Sequence, residues 1–271
     1  AQLCQIARPS IGLVTRVGAA HLELFGTIDD VATAKAELVE ALPAHGAAVL
    51  NADDVHVAAM ARRTRAQVLT YGEAGELRAV DIEVRSDLTS SFELQGPWGR
   101  VHVHLAVRGL HNVHNALAAA AVGLVSGVDI AQVAEALETA TVSAWRMELL
   151  HAPSGARVLN DAYNANPASM RAALDALAHL PARRRIAVLG PMAELGEGAA
   201  HAHREIGDLA RAAGVRLISV GSPAYGGEDV PDIDAAVAAV GELGPDDAVL
   251  VKGSRVAGLE RLAARLTSQG G

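Results

Sequence analysis

A single cysteine, Cys4, occurs in 271 residues. That excludes a disulfide framework and a thiolate metal site, and it fits a reducing cytoplasm. Aromatic residues are scarce, 3% of a chain that is 51% hydrophobic, so the core must be built from Ala, Val and Leu. Lysine is nearly missing: of 23 basic residues only Lys35 and Lys252 are lysines. Each of the two therefore calls for its own explanation. Positive charge is in deficit, with a formal net charge of −8 when the eleven His are neutral. This argues against a nucleic-acid partner or a polybasic membrane surface. No apolar run reaches transmembrane length, and Ala1-Gln2-Leu3-Cys4 is not the start of a signal peptide. No membrane insertion is expected, and the expected location is cytoplasmic. The chain has no initiator Met, which is expected of a processed product or a fragment. Neither lysine sits in a Gly-x-x-x-x-Gly-Lys-[Ser/Thr] phosphate loop, and no such run exists. There is no internal repeat and no low-complexity linker.

What is present alternates. Ser10–Thr15 reads as a buried strand, followed by a loop over Gly18–Gly26 that contains His21. Thr27 with Asp30 resembles a capping box opening a helix. The apolar stripe Ile28, Val31, Leu38 and Leu42 puts Lys35 on the expected buried face. Two readings of Lys35 stand: an ammonium that snorkels to the edge, or an amine whose pKa falls by desolvation. A neutral amine can add carbon dioxide, and the resulting carbamate is an anionic oxygen ligand suited to magnesium. Ala47–Leu50 and Gln67–Tyr71 are further strands, with Asn51-Ala52-Asp53-Asp54 capping the helix between them. From Arg78 to Val107 the period becomes two, which predicts antiparallel strands around a Gly96–Gly99 turn. His102 and His104 alternate with valines there, as a solvated face or a metal pair. Gly109–Asn115 then enters an Ala-rich helix, in which Asn112 and Asn115 share a face of the first turn. Asp129 with Gln132 caps the next helix. The domain boundary is set at Ala144/Trp145.

The second half predicts four strand–helix units. The strands are Ala156–Leu159, Ile186–Leu189, Leu217–Val220 and Ala248–Val251. The helices are Pro167–Leu180, Ala199–Ala213, Asp234–Leu243 and Val256–Leu266. This is a Rossmann-like α/β domain. Asn166 suits an N-cap and Pro167 the first helical position. Three strand ends carry unusual polar loops: 160–166, 190–196 and 252–255. They are expected on one sheet edge, where open α/β sheets bind ligands.

Several runs together resemble one family, the Mur ligases of peptidoglycan synthesis. They are Val17-Gly18-Ala19-Ala20-His21-Leu22-Glu23, Ala34-Lys35-Ala36-Glu37-Leu38, Gly109-Leu110-His111-Asn112 with Asn115, Asp161-Ala162-Tyr163-Asn164-Ala165-Asn166-Pro167, Met192-Ala193-Glu194-Leu195-Gly196 and Lys252-Gly253-Ser254-Arg255. The likeness spans essentially the whole chain, and the Tyr-Asn-Ala-Asn-Pro and Met-Ala-Glu-Leu-Gly runs are specific to the branch that adds D-alanyl-D-alanine.

The resemblance implies an α/β chain with two parts. Residues 1–144 would be part of the central, P-loop NTPase-like ATP-binding domain, with a mainly parallel sheet plus antiparallel strands. Residues 145–271 would be the Rossmann-like C-terminal domain. It implies ATP and Mg²⁺, with UDP-N-acetylmuramoyl-tripeptide and D-alanyl-D-alanine as the molecules joined through an acyl phosphate. By similarity Lys35 is a carbamylated lysine and His21 a ligand of a second magnesium; a His in a Gly-flanked turn is the plainer alternative for His21. Asn112 and Asn115 fall where the family contacts adenine, Asp161 where it holds the ribose, and Arg146 where an arginine reaches the ATP phosphates. Tyr163, Asn164 and Asn166 line the nucleotide side. Glu194, His203, Lys252, Ser254 and Arg255 are candidates for the D-alanyl-D-alanine side, against plainer roles as caps and surface charges.

Departures from the pattern are Arg16 for Asn, Trp145 for Gly and Pro191 for Asp. The missing phosphate loop and N-terminal domain imply a truncated chain that is inactive alone. Alternatives are a non-catalytic relative that lost its phosphate loop, or another ligase of the superfamily. The Tyr-Asn-Ala-Asn-Pro run argues against the latter.

Overall fold

The computed structural model describes residues 2–18 and 27–268. The chain divides into two compact units, Ala1–Val84 with Thr89–Thr141, and Arg85–Leu88 with Val142–Gly271. The expected α/β class is borne out in both.

In the first unit a short helix α1 (Gln2–Ala7) buries none of its residues. Strands β1 (Ile11–Val14), β2 (Ala47–Asn51) and β3 (Gln67–Tyr71) form a parallel sheet in that order. Helix α2 (Ile28–Glu40) joins β1 to β2 and starts with the expected capping box between Thr27 and Asp30. Helix α3 (Val55–Ala59) is capped by Asp54, whose carboxylate also accepts the N–H of Val17 at 2.8 Å. The period-two segment folds as predicted into antiparallel β4 (Arg78–Val84), β5 (Ser90–Gly96) and β6 (Gly99–Leu105). Helix α4 (His111–Val125) packs against β1, β2, β3 and β4, and its Ala-rich stripe, including Ala116, Ala120 and Ala121, shares one buried core with Val49, Leu69 and Tyr71. Small side chains on that stripe let the helix approach closely, which answers the shortage of large apolar residues. Helix α5 (Ile130–Glu138) carries the predicted Asp129–Gln132 capping box.

The second unit is a six-stranded sheet in the order β11-β10-β9-β12-β8-β7. The expected strands are β8 (Arg157–Asn160), β9 (Arg184–Leu189), β10 (Arg216–Val220) and β12 (Asp247–Lys252), all mutually parallel. Two edge strands were not legible: β7 (Glu148–His151), antiparallel to β8, and β11 (Glu228–Val230). Glu-Leu-Leu-His does not alternate, β11 has only three residues, and an edge strand needs only one partner. Alternation along the inner strands sorts side chains to the two faces. Ala187, Leu189, Leu217 and Leu250 meet Met170, Leu177 and Ile206 of helices α6 (Pro167–His179) and α7 (Ala199–Ala212). Ile186, Val188, Ile218 and Val249 meet Ala236, Val240 and Leu262 of helices α8 (Ile233–Val240) and α9 (Glu260–Thr267). Burial on both faces explains the continuous apolar runs.

The amino end of this sheet is tied by Arg184, whose Nε and a terminal nitrogen donate to the two oxygens of Asp247 at 2.9 and 2.6 Å. The Gly244 N–H adds a third bond at 2.6 Å. The Arg184 hydrogen bonds lead, and the Gly244 N–H assists, in holding the buried Asp247 carboxyl below its ordinary range, against the opposing pull of burial. A carboxylate with a depressed folded pKa contributes stability that is present above its unfolded pKa and is lost as pH falls through the folded one. Asp247→Asn should therefore lower the melting temperature near pH 7, and its deficit against the wild type should shrink on acidification. Thermal melts across a pH series check this; a deficit that does not vary with pH would contradict it.

Candidate functional site

The three polar loops follow β8, β9 and β12, which are neighbours in the sheet, so they share its carboxyl edge as the sequence predicted. They are sewn to one another. The Gly190 N–H donates to the Lys252 carbonyl at 2.8 Å, and the Ser254 N–H to the Pro191 carbonyl at 2.9 Å. Glycine is required where the second and third loops touch: a Cβ on Gly253 would lie 3.0 Å from Gly190 Cα.

At the centre is Lys252, only 2% exposed. Its Nζ donates to Asp161 Oδ2 at 2.5 Å and to the Asn164 carbonyl at 2.9 Å, with the Asp161 carbonyl at 3.4 Å. Burial pushes the Lys252 pKa down, Asp161 pulls it back up, and the nearby Arg146 lowers it further. The other oxygen of Asp161 accepts the Met147 N–H at 3.1 Å. Asp161 thus joins β12 to the 145–147 segment as well as to its own loop. Both its oxygens are engaged by protein, and the residue is 8% exposed.

Other candidates also turn inward. Ser254 Oγ accepts the Ala193 N–H at 2.8 Å and faces the Ala165 carbonyl at 3.4 Å. His203 is 6% exposed; its Nε2 accepts the Met192 N–H at 3.0 Å, and its Nδ1 lies 2.6 Å from the Ala199 carbonyl. That pair of contacts fits the neutral tautomer with the proton on Nδ1. Asn166 caps α6, accepting the Ser169 N–H at 2.9 Å, and Pro167 follows as read from the sequence. Asn164 Oδ1 accepts the Ala165 N–H at 2.8 Å.

Outward-facing groups are fewer. Tyr163 is 37% exposed, and the Arg146 guanidinium lies over its ring at 3.9 Å. The Arg255 guanidinium lies over Trp145 at 4.1 Å. Both arginines are exposed, and neither is paired with a carboxylate among the described residues. Glu194 is exposed in a left-handed conformation, φ 62°.

Tyr225 was not singled out by any motif. It is fully buried, donates its hydroxyl to the Gly190 carbonyl at 2.8 Å, and stacks edge-on against His203 at 4.7 Å. Burial pushes its phenol pKa up. Helix α7 accommodates it only because Gly207 has no side chain: a Cβ there would sit 1.9 Å from the Tyr225 carbonyl oxygen. The only signal in the sequence was rarity, one of three tyrosines.

In the first unit Asn112 and Asn115 do share a face. Asn112 Nδ2 donates to the Arg108 carbonyl at 2.6 Å, and Asn115 Nδ2 to Asn112 Oδ1 at 2.7 Å. His21 lies outside the described residues. The expectation of a buried Lys35 is corrected: Lys35 is exposed, and the buried residues of α2 are Val31, Ala36 and Val39. The stripe turns toward Ala36, a small residue that allows close packing, and leaves Lys35 and the half-buried Leu38 on its flank. Lys35 Nζ donates to the Arg16 carbonyl at 2.7 Å and lines a hollow of about 700 Å³ with Leu13 and Thr15. The desolvation route to a carbamate therefore loses its footing. His102 and His104 pack edge to face at 4.6 Å. Among the described residues no three His, Cys, Asp or Glu side chains converge as a metal site.

Comparison with known proteins adds a second line. Residues 1–123 match the Mur ligase middle domain and residues 145–255 the Mur ligase, glutamate ligase domain. The chain is 44% identical to the UDP-N-acetylmuramoyl-tripeptide–D-alanyl-D-alanine ligase of Mycobacterium tuberculosis, over 99% of this chain and 60% of that protein. It is 35% identical to the Escherichia coli enzyme of the same name, over 98% of this chain and 62% of that one. A crystal structure of MurF from Acinetobacter baumannii superposes with a TM-score of 0.87 at 28% identity, covering 98% of this chain and 61% of that one. The chain thus spans about three-fifths of the length of the curated relatives it matches.

Removing Lys252 would leave the Asp161 carboxylate buried without its ion partner, a change that typically costs about 3–5 kcal/mol. Lys252→Met should destabilise the second unit by roughly that much in denaturant titrations, and adding Asp161→Asn should recover part of the loss. A double variant no better than the single one would contradict the pairing.

Proposed function

Because the chain belongs to the Mur ligase family, we propose that it forms the larger part of an ATP-dependent ligase. That enzyme joins D-alanyl-D-alanine to UDP-N-acetylmuramoyl-tripeptide in peptidoglycan precursor synthesis. The observation that carries this reading is the convergence of the 160–166, 190–196 and 252–255 loops on one sheet edge. Those loops hold the runs specific to the D-alanyl-D-alanine branch, in a chain with 44% identity to such a ligase along 99% of its length.

In the proposed reaction the terminal carboxylate of the tripeptide attacks the γ-phosphorus of ATP. An acyl phosphate forms and ADP leaves. The amine of D-alanyl-D-alanine then adds to the acyl carbon, and the tetrahedral intermediate collapses to the amide by expelling phosphate, with the amine's proton passing to solvent or base. Negative charge builds on the phosphoryl and acyl oxygens at each stage, so fixed donors do most of the work. On the second unit the exposed guanidinium of Arg146 is the group proposed for the nucleotide phosphates, with Tyr163 beneath it. Asp161, both of whose oxygens are engaged by Lys252 and Met147, sets the shape of the nucleotide loop, and a ribose contact would use its remaining lone pairs. Asn112 and Asn115 are proposed for the adenine edge. Magnesium, which the family implies, has no site assembled from the described residues. Lys35 is accessible, and as a carbamate (a new N–C bond to carbon dioxide, with one proton released) it would supply a fixed negative charge.

Two outcomes test the reading. In a longer protein that contains this chain and a phosphate loop, Lys35→Ala should abolish D-alanyl-D-alanine-dependent phosphate release, and a short carboxylic acid should partly restore it. A fully active Lys35→Ala variant would remove the carbamate. The 271-residue chain alone, which lacks the phosphate-loop motif, should release no phosphate when given ATP, tripeptide and dipeptide. A second reading is a non-catalytic binding relative. An in-frame Gly-Lys-Thr loop in the coding sequence upstream of Ala1 would dismiss it.

A further inference from the structure

On the carboxyl edge, side chains that hold the loops differ from those left free to meet a ligand. Three of the polar side chains expected to meet the acceptor are occupied within the protein. Lys252 directs its protons at Asp161 Oδ2, the Asn164 carbonyl and the Asp161 carbonyl. Ser254 Oγ is shared between Ala193 and Ala165, and His203 between Met192 and Ala199. Satisfied groups of this kind hold loops in place, and drawing them to a ligand would leave buried partners unpaired.

Arg255 is different. It follows Ser254, which touches both other loops, so it emerges where the three meet. A guanidinium has five N–H donors, and those of Arg255 make no hydrogen bond among the described residues. Its guanidinium lies instead over the face of Trp145, 4.1 Å away. Trp145 sits at φ 62°, a left-handed conformation that a bulky side chain rarely adopts. A backbone tie holds it there: its carbonyl accepts the Tyr163 N–H at 3.1 Å. Two residues on, the Met147 N–H, also at positive φ, is fixed by Asp161. The strained segment thus presents an indole face to the one acceptor-side cation whose donors are unspent. An aromatic rest orients a guanidinium without consuming its N–H groups.

We propose that Arg255, held ready on Trp145, recognises the carboxylate of the acceptor dipeptide, and that Trp145 is a positioning residue for that contact. The proposal rests on the ligase reading above. A planar fork matches a carboxylate through two parallel hydrogen bonds, and a carboxylate is the terminal group that distinguishes D-alanyl-D-alanine from its amide or alcohol analogues.

Trp98 and Trp145 are the only tryptophans, so Trp98→Phe leaves Trp145 as the sole reporter. In that background D-alanyl-D-alanine should shift the Trp145 emission saturably. D-alanyl-D-alaninol, which keeps the amine and lacks the carboxylate, should bind about tenfold or more weakly by calorimetry and leave the emission unmoved. Arg255→Met should bring the dipeptide down to the affinity of the alaninol. Arg255→Lys, which keeps the charge and loses the planar stack, should retain part of the affinity and lose the emission shift. Trp145→Gly should weaken the dipeptide and spare the alaninol, a selectivity that general unfolding would not produce. Equal binding of dipeptide and alaninol, or unchanged dipeptide affinity in Arg255→Met, overturns the inference and leaves the ligase reading standing. No dipeptide binding either by this chain or by a longer protein containing it overturns that reading, and the inference with it.

Discussion

Lys252 and Asp161 form an ion pair in the second unit that the rest of the carboxyl edge depends on. An ammonium and a carboxylate taken out of water gain from each other only if geometry is good and the remaining protons and lone pairs find partners. Here they do. The Asn164 carbonyl takes one proton of the amine, and the Met147 N–H takes the second carboxylate oxygen. The pair therefore acts on four stretches of chain at once: the end of β12, the start of the 160–166 loop, its later part at Asn164, and the segment that carries Arg146. The buried charges specify where those stretches go. The groups left facing out, Arg146, Tyr163 and Arg255, inherit their positions from this arrangement.

Around that pair, the second unit has three aromatic residues, Trp145, Tyr163 and Tyr225, and each has an assignment. Tyr225 braces the 190–196 loop from beneath, through its hydroxyl on Gly190 and its ring against His203. Tyr163 and Trp145 lie under the two exposed guanidiniums. In a second-unit core otherwise made of Ala, Val, Leu, Ile and Met, alternation along β9, β10 and β12 supplies the close packing. The second unit's three rings can then gather at its carboxyl edge.

Local chemistry was legible in the sequence, and distant pairing was not. The capping boxes at Thr27–Asp30 and Asp129–Gln132 and the Asn166–Pro167 start depend on residues three apart or adjacent, and all three form. The alternation that predicts a Rossmann-like sheet is likewise local, as is the place of the three loops at strand ends. By contrast Lys252 finds Asp161 across 91 positions, and Ala193 finds Ser254 across 61. No spacing rule could say that these side chains, together with His203, turn inward and leave Arg255 outside. The face of α2 was misjudged for a related reason. An apolar stripe counted by size favours Leu38 and so buries Lys35, whereas the packed helix chose the small Ala36. The edge strand β7 does not alternate, and β11 has only three residues, so neither carries a pattern.

The near-absence of lysine gives the molecule an unusual chemical simplicity. One of its two lysine amines is sealed at 2% exposure in an ion pair, and the other, Lys35, stands open on a helix flank. An amine-directed acylating reagent therefore meets a single reactive side chain in the folded protein, on the first unit, apart from any terminal amine. Appearance of a second modified lysine would time the opening of the second unit, and mass spectrometry could follow it without an engineered label.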